Sequence, residues 1–254
     1  MSTTTALSVN LNKIALIRNS REGNYPSITK HAQICLDAGA EGITVHPRPD
    51  QRHIRPGDVY DLAKLVAPLA GIEFNVEGNP FAGAQEGYPG FMALVEQSRP
   101  DQVTLVPDSD DQLTSDHGFD LTQSGEKLKP IIDQLHQWGC RVSLFMDPDV
   151  EQIKLAKAIG TDRIELYTGP YAAAYRQQSD QLDSLFEQYY RAGEVAAELG
   201  LGLNAGHDLD LDNLARFRKV PQLLEVSIGH ALTVDSLAMG MNEAVKRYHH
   251  ICQN

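Results

Sequence analysis

The sequence predicts an α/β protein of the (β/α)8 TIM-barrel class with extra helices, and three observations predict it. The first is a pattern that recurs along the chain: a helical stripe ends at a glycine, a short β-branched run follows, and the run closes on a polar residue. The second is the number of candidate strands: four copies of that pattern and four less tidy runs make eight, spaced by roughly thirty residues, the length of one βα unit. The third is the length of 254 residues, against the roughly 250 typical of such a barrel. An open doubly wound sheet is the competing arrangement, because it also alternates strands with helices.

Taken in order, the first strand is expected at Leu7–Asn10 and the second within Gly39–His46. Ile72–Val76 and Gln102–Val106 are the third and fourth. Gly139–Asp147, Gly160–Thr168 and Gly200–His207 hold the next three, and Leu224–Ile228 is the eighth. Glycines 39, 139, 160 and 200 suit the left-handed position just past a helix end. The short apolar runs suit strands buried on both faces. Ser124–Trp138 reads as an extra helix before the fifth strand. Helical stripes run through Leu182, Leu185, Phe186, Tyr189, Tyr190, Gly193 and Ala197, and through Leu237, Met241, Ala244, Val245 and Tyr248. The polar segment Asp108–Gly118 reads as a long βα loop of the functional kind. Asp147-Pro148 fits an N-cap followed by proline. Nothing reads as a linker, so one domain is expected over residues 1–254.

Apolar residues make up 42% and charged residues 22%, enough to bury a full core. Lys plus Arg is 22 against 34 for Asp plus Glu, a net charge of −12. That balance argues against a general nucleic-acid-binding face and against docking on anionic membrane. The stretch Met1-Ser-Thr-Thr-Thr-Ala6 does not read as a secretory signal, and no apolar run approaches the roughly 20 residues of a membrane helix. Cys35, Cys140 and Cys252 are odd in number and form no CxxC pair. They read as buried or half-buried thiols of a reducing compartment, and the cytoplasm is the expected location.

In a parallel barrel all strands open their C-terminal ends onto one face, where active sites sit. Those ends carry Asn10, Asn12, His46, Glu77, Asp147, Thr168, His207 and His230. A single histidine there is commonly a satisfied structural residue; three with a glutamate point to proton chemistry. The run His46-Pro-Arg48-Pro-Asp-Gln-Arg52-His53-Ile-Arg55 concentrates cations in an acidic chain. Arginine offers a planar fork matched to phosphate oxygens. A solvated loop paired with surface carboxylates is the bland alternative. Arg18 and Arg21 add charge after the first strand. The turns Asn204-Ala-Gly206-His207 and Ile228-Gly229-His230 let backbone approach an anion, or merely serve as tight turns. Asp208, Asp210 and Asp212 start like a calcium loop, but Lys219 stands where the closing glutamate belongs. No phosphate-binding P-loop, zinc-protease helix or nucleophile elbow is present. Zinc at a histidine-rich mouth is the weaker reading, since phosphate arginines give those histidines a metal-free role.

Several of these motifs together resemble the pyridoxine 5'-phosphate synthase family. They are Asn10-x-Asn-Lys-Ile-Ala-x-x-Arg18-Asn-x-Arg21, Gly42-Ile-Thr-Val-His46-x-Arg48, Arg52-His53-Ile, Asn75-Val-Glu77, Leu105-Val-Pro107, Asn204-Ala-Gly-His207 and Ile228-Gly-His230. The resemblance runs from about Ser8 to the last helix. It implies a barrel with additional helices and a homo-octamer built from dimers. It implies condensation of 1-deoxy-D-xylulose 5-phosphate with 3-amino-2-oxopropyl phosphate to pyridoxine 5'-phosphate, phosphate and water, a transferase reaction of vitamin B6 biosynthesis without metal or organic cofactor. By position, His46 and Glu77 match proton acceptors and His207 a proton donor. Asn10, Arg21, Gly229 and His230 match contacts to the amino-ketone phosphate; Arg48, His53 and Thr114 match contacts to the deoxyxylulose phosphate. Two places depart. Many family members have Asp-His where this chain has Asn12-Lys13, and His-Gly where it has His207-Asp208. Lys13 is expected to replace the missing histidine as a contact to the sugar phosphate, and the loop 108–118 to close over bound substrates. Two other functions stay open: a silent paralogue that binds a B6 phosphate, and another phosphosugar barrel enzyme such as a metal-dependent epimerase.

Overall fold

Eight strands follow one another as β1 (Ala6–Asn10), β2 (Gly42–Val45), β3 (Glu73–Gly78), β4 (Gln102–Leu105), β5 (Arg141–Met146), β6 (Arg163–Leu166), β7 (Gly202–Ala205) and β8 (Leu223–Ile228). Each pairs in parallel with its neighbour in sequence, and β8 pairs back onto β1 through Leu7↔Val226 and Ser8↔Ser227, closing the ring. That closure excludes the open sheet. The computed structural model describes residues 4–109 and 112–254. The first three residues of the N-terminal stretch, and Asp110 and Asp111 of the long loop, lie outside the described residues.

Eleven helices are described: α1 (Asn12–Asn19), α2 (Ile28–Asp37), α3 (Pro56–Val66), α4 (Phe91–Ser98), α5 (Leu121–Gln137), α6 (Val150–Ala158), α7 (Gly169–Arg176), α8 (Leu182–Glu198), α9 (Leu214–Phe217), α10 (His230–Met239) and α11 (Met241–Gln253). The four glycines expected past helix ends all have positive φ: Gly39 +106°, Gly139 +82°, Gly160 +95° and Gly200 +66°. The expected extra helix at 124–138 is instead α5, the ordinary helix of the fourth βα unit. The additional ones are α1, α7 and α10, each set directly after a strand on the C-terminal rim. Periodicity marks a helix but not its place in a βα unit, so 124–138 reads as extra from the sequence alone. The stripe through Leu237 likewise breaks at Gly240 (φ +86°) into two helices, and Leu237 is 80% exposed on α10. Asp149, not Asp147, caps α6, accepting from the N–H groups of Glu151 and Gln152 at 2.8 and 3.1 Å. Asp147 instead accepts from Gly118 N–H at 3.2 Å.

The strands are buried on both faces, but only one face is apolar. Leu7, Val9, Ile43, Val45, Val76, Leu105, Val142, Leu144 and Leu166 belong to the apolar core. Their alternates form a polar interior. Ser8, Thr44, Asn75 and Thr104 join across four strands in a hydrogen-bonded chain of 2.7, 3.4 and 3.2 Å. At the N-terminal end, Arg163 Nη1 donates to Glu225 and Asn204 at 3.1 Å each. Arg141 forks onto Glu73 and reaches Gln102 at 2.9 Å. All three cysteines are buried and free, with burial pushing the Cys35 and Cys252 thiols to about 12 and Cys140 to about 11. Among the described residues no helix is long and apolar enough to cross a membrane.

Candidate active site

The C-terminal mouth of the barrel encloses a cavity of about 350 Å³. Its lining includes Asn10, Asn12, Lys13, His46, Arg48, His53, Glu77, Thr114, His207, Asp208, Gly229 and His230. Thus every residue expected to contact substrate or move protons, except Arg21, converges there, while Asp147 and Thr168 of the strand ends do not line the cavity. Arg21 is exposed on the segment after α1 and does not line the mouth of its own chain. Arg18 is not a mouth cation either. It is 3% exposed, with its guanidinium on Asp58 at 2.5 Å and on the His53 carbonyl at 3.0 Å, which ties α1 to the arginine-rich turn.

His46 follows β2, and Glu77 lies near the end of the neighbouring β3. His46 Nδ1 and Glu77 Oε2 are 3.9 Å apart. Asn10 Nδ2 donates to the same carboxyl oxygen at 3.3 Å. Asn12 Oδ1 accepts from His46 N–H at 2.9 Å, so its side chain braces the backbone of that histidine. Burial holds His46 well below its ordinary range, and Arg48, His53 and Arg52 reinforce it. Burial lifts Glu77 well above the carboxylate range, with Glu165, Asp108 and Glu225 adding repulsion. The mouth therefore favours a neutral imidazole beside a protonated carboxyl.

His53 is fixed by its own turn. Ile54 N–H donates to His53 Nδ1 at 2.9 Å, which leaves the ring proton on Nε2. Burial first, then Arg48, Lys13 and Arg52, pushes this histidine down to about 3. It is a neutral donor rather than a cation. The Arg48 fork is already engaged: it contacts Asp108, and Nη1 donates to the Gln112 carbonyl at 3.1 Å. Ser115 Oγ donates to the same aspartate at 2.7 Å. The loop thus lies against the mouth, and Thr114 Oγ1 reaches His207 Nε2 at 2.9 Å.

On the opposite wall, Gly206 is a steric requirement. A Cβ there would fall 1.9 Å from the Ser227 carbonyl oxygen. Gly229 caps α10 without a side-chain hydrogen bond, and Gly229, His230 and Ala231 line the mouth at that helix start. Such a start favours an anion.

Two carboxyls were missed by sequence reasoning. Glu165 sits within β6, away from the strand ends that mark the other site residues. It lines the mouth, burial and Glu225 push it to about 8, and its Oε2 has no hydrogen-bond partner. The signal available was a carboxyl between Ile164 and Leu166, at an interior position of an alternating strand. Asp108 was read only as the loop's first residue; it is 4% exposed, with burial raising its carboxyl. Among the described residues, no group of three His, Cys, Asp or Glu is placed to hold a metal ion.

A family model described as pyridoxal phosphate biosynthesis protein PdxJ matches residues 7–254. A pyridoxine 5'-phosphate synthase of Xylella fastidiosa (strain 9a5c) is 53% identical over 249 residues, covering 98% of this chain and 95% of that one. Another, of Xanthomonas campestris pv. campestris (strain B100), is 54% identical over 246 residues, covering 96% and 94%. Among solved structures, a thiamine phosphate pyrophosphorylase from Pyrococcus furiosus aligns with a TM-score of 0.59 at 11% identity, covering 99% of this chain and 96% of that one. At that identity the likeness speaks to the fold alone.

Proposed function

The chain belongs to the PdxJ family of pyridoxal phosphate biosynthesis proteins, and from that premise we propose that it is a synthase joining 1-deoxy-D-xylulose 5-phosphate to 3-amino-2-oxopropyl phosphate. The products are pyridoxine 5'-phosphate, phosphate and water. The observation that carries this reading is the His46–Glu77 pair, 3.9 Å apart in a buried mouth with anion-binding groups on both sides. Imine formation, phosphate elimination, dehydration and aromatisation are all proton transfers. Neutral His46 takes the first proton. Glu77 starts protonated, gives its proton to the carbinolamine hydroxyl that leaves as water, and is then a carboxylate beside the cationic iminium, able to accept a proton. His207, on the far wall, donates to a leaving oxygen. Arg48, His53 and Lys13 hold one phosphate. The backbone at Gly229–His230, with Asn10, holds the other. Two clamps keep two substrates in register, which lowers the entropic barrier.

The reaction runs without metal or cofactor on this reading. The chain also self-associates: Leu16 and Ile17 on α1 and Val234 and Leu237 on the adjoining α10 are exposed apolar side chains that a second copy would cover. Light scattering tests that assembly. The central test mixes chelator-treated protein with both substrates and follows pyridoxine 5'-phosphate and phosphate by chromatography. Equal amounts of both, lost in Glu77→Gln, are expected. Folded protein that binds pyridoxine 5'-phosphate and makes none would favour a silent binder.

A further inference from the structure

Resting on the synthase reading, we propose that Asp208 is a positioning residue, fixing the His207 imidazole in its Nδ1–H form so that Nε2 is the nitrogen that meets substrate. The ring is constrained on several sides. Nε2 lies 2.9 Å from Thr114 Oγ1. The Tyr167 ring stands edge-on to it, with centroids 5.3 Å apart at 69°. The His207 carbonyl is tied to the Thr168 hydroxyl. What remains is Nδ1, which is buried and makes no hydrogen bond of ordinary geometry. It faces Asp208 Oδ2 at 3.5 Å, so a small rotation of either side chain completes the contact.

Asp208 is built to stay there as an anion. Its backbone is left-handed, at φ +63°, and its carbonyl accepts from Asn213 Nδ2 at 3.2 Å. The facing His207 side chain is the largest influence holding its carboxyl below the usual range, against burial, with Arg176 and His230 helping. A carboxylate accepts and never donates, so it selects Nδ1–H. Nε2 is then an acceptor for the Thr114 hydroxyl. Once Nε2 has taken a proton from substrate in an earlier step, it passes that proton to the leaving oxygen, and the ring returns to its Nδ1–H resting form without turning over. The competing role for Asp208 is electrostatic: a negative charge that merely weakens phosphate binding nearby.

The test compares the native chain with Asp208→Asn and Asp208→Gly. Imidazole ¹⁵N spectra of the empty proteins report which nitrogen of His207 holds the proton. Steady-state kinetics with both phosphorylated substrates separate kcat from KM. The expected result is Nδ1–H in the native chain and a mixed or reversed tautomer in both variants. With it kcat falls about tenfold to a hundredfold, less than the four decades seen for a fully buried orienting aspartate, and KM holds. Glycine removes the left-handed strain, so that variant keeps its melting temperature. Identical tautomers in all three proteins would overturn the proposal, as would variants with unchanged kcat and lower KM, the mark of simple repulsion. Should the native chain make no product, the synthase reading fails by itself, while the ¹⁵N spectra still decide whether Asp208 sets the ring.

Discussion

At the N-terminal end of the barrel interior, Arg141 and Arg163 lie against Glu73 and Glu225, and Arg141 holds the Glu73 carboxyl below its ordinary range. At the C-terminal end, among the described residues, neither Glu77 nor Glu165 pairs with a lysine or arginine, and burial drives both toward the protonated form. The residue types are the same. Burial raises the Glu225 carboxyl too, but Arg163 and Arg141 pull against that rise, whereas no lysine or arginine among the described residues pairs with Glu77 or Glu165. An unpaired buried carboxyl sits close to a change of charge, and a group so placed can carry protons. The pairing of charge therefore sets Glu73 and Glu225 apart from Glu77 and Glu165, while Asp108, at the mouth, is paired with Arg48.

Glu77→Gln is the sharpest way to break that contrast. The substitution keeps shape and neutrality, so folding should hold while turnover falls by roughly a hundredfold to ten-thousandfold; matched thermal melts and product assays check it. Arg163→Met attacks the other end. It strips Glu225 of its closest cation, and a loss of about 3 kcal/mol is expected in denaturant titration, with activity per folded molecule retained. A loss of turnover without loss of stability would show that the two ends are not separable.

The pH dependence of stability sharpens the contrast further. Glu165 titrates near 8 in the folded chain against an ordinary 4.5. Between those values the folded state keeps a proton that the unfolded chain has released. Its contribution is full below the lower value and is lost as pH rises through the upper one. His53, pushed down to about 3 from 6.5, works the other way, costing stability as pH falls through that window. Glu165→Gln should therefore flatten the decline in melting temperature between about pH 5 and 8 and leave the acid limb unchanged. The smallest effect is Arg48→Lys, since a point charge cannot fork between Asp108 and a phosphate. About a tenfold rise in KM for the sugar phosphate is expected, with kcat nearly unchanged in initial-rate assays.

How much of this was legible in the sequence follows from which signals are local. The glycine-then-strand pattern found four strands and short apolar runs at the same spacing found the other four, because a left-handed helix end and a β-branched run are both local facts. The strand ends then located His46, Glu77 and His207, because parallel topology sends every end to one face. Partnership was not legible. Arg18 and Arg48 looked alike as cations near the mouth, yet Arg18 is spent on Asp58, forty residues away, and Arg48 is shared with a loop carboxyl. The polar interior was hidden for a similar reason: Ser8, Thr44, Asn75 and Thr104 look like interruptions in apolar runs until closure brings them together. Glu165 was missed because attention to strand ends ignored the alternation within a strand.

The seventh turn has a consequence for how this chain can drift over generations. Every amino-acid replacement available to the Gly206 codon adds a Cβ, and that carbon would land 1.9 Å from the Ser227 carbonyl oxygen. Two residues later, Asp208 holds a left-handed backbone that glycine adopts at no steric cost. One position is closed to mutation by geometry. The other admits glycine freely, so the backbone there does not require an acidic side chain. Two neighbouring sites on one loop are thus constrained differently, one closed by space and the other open to change.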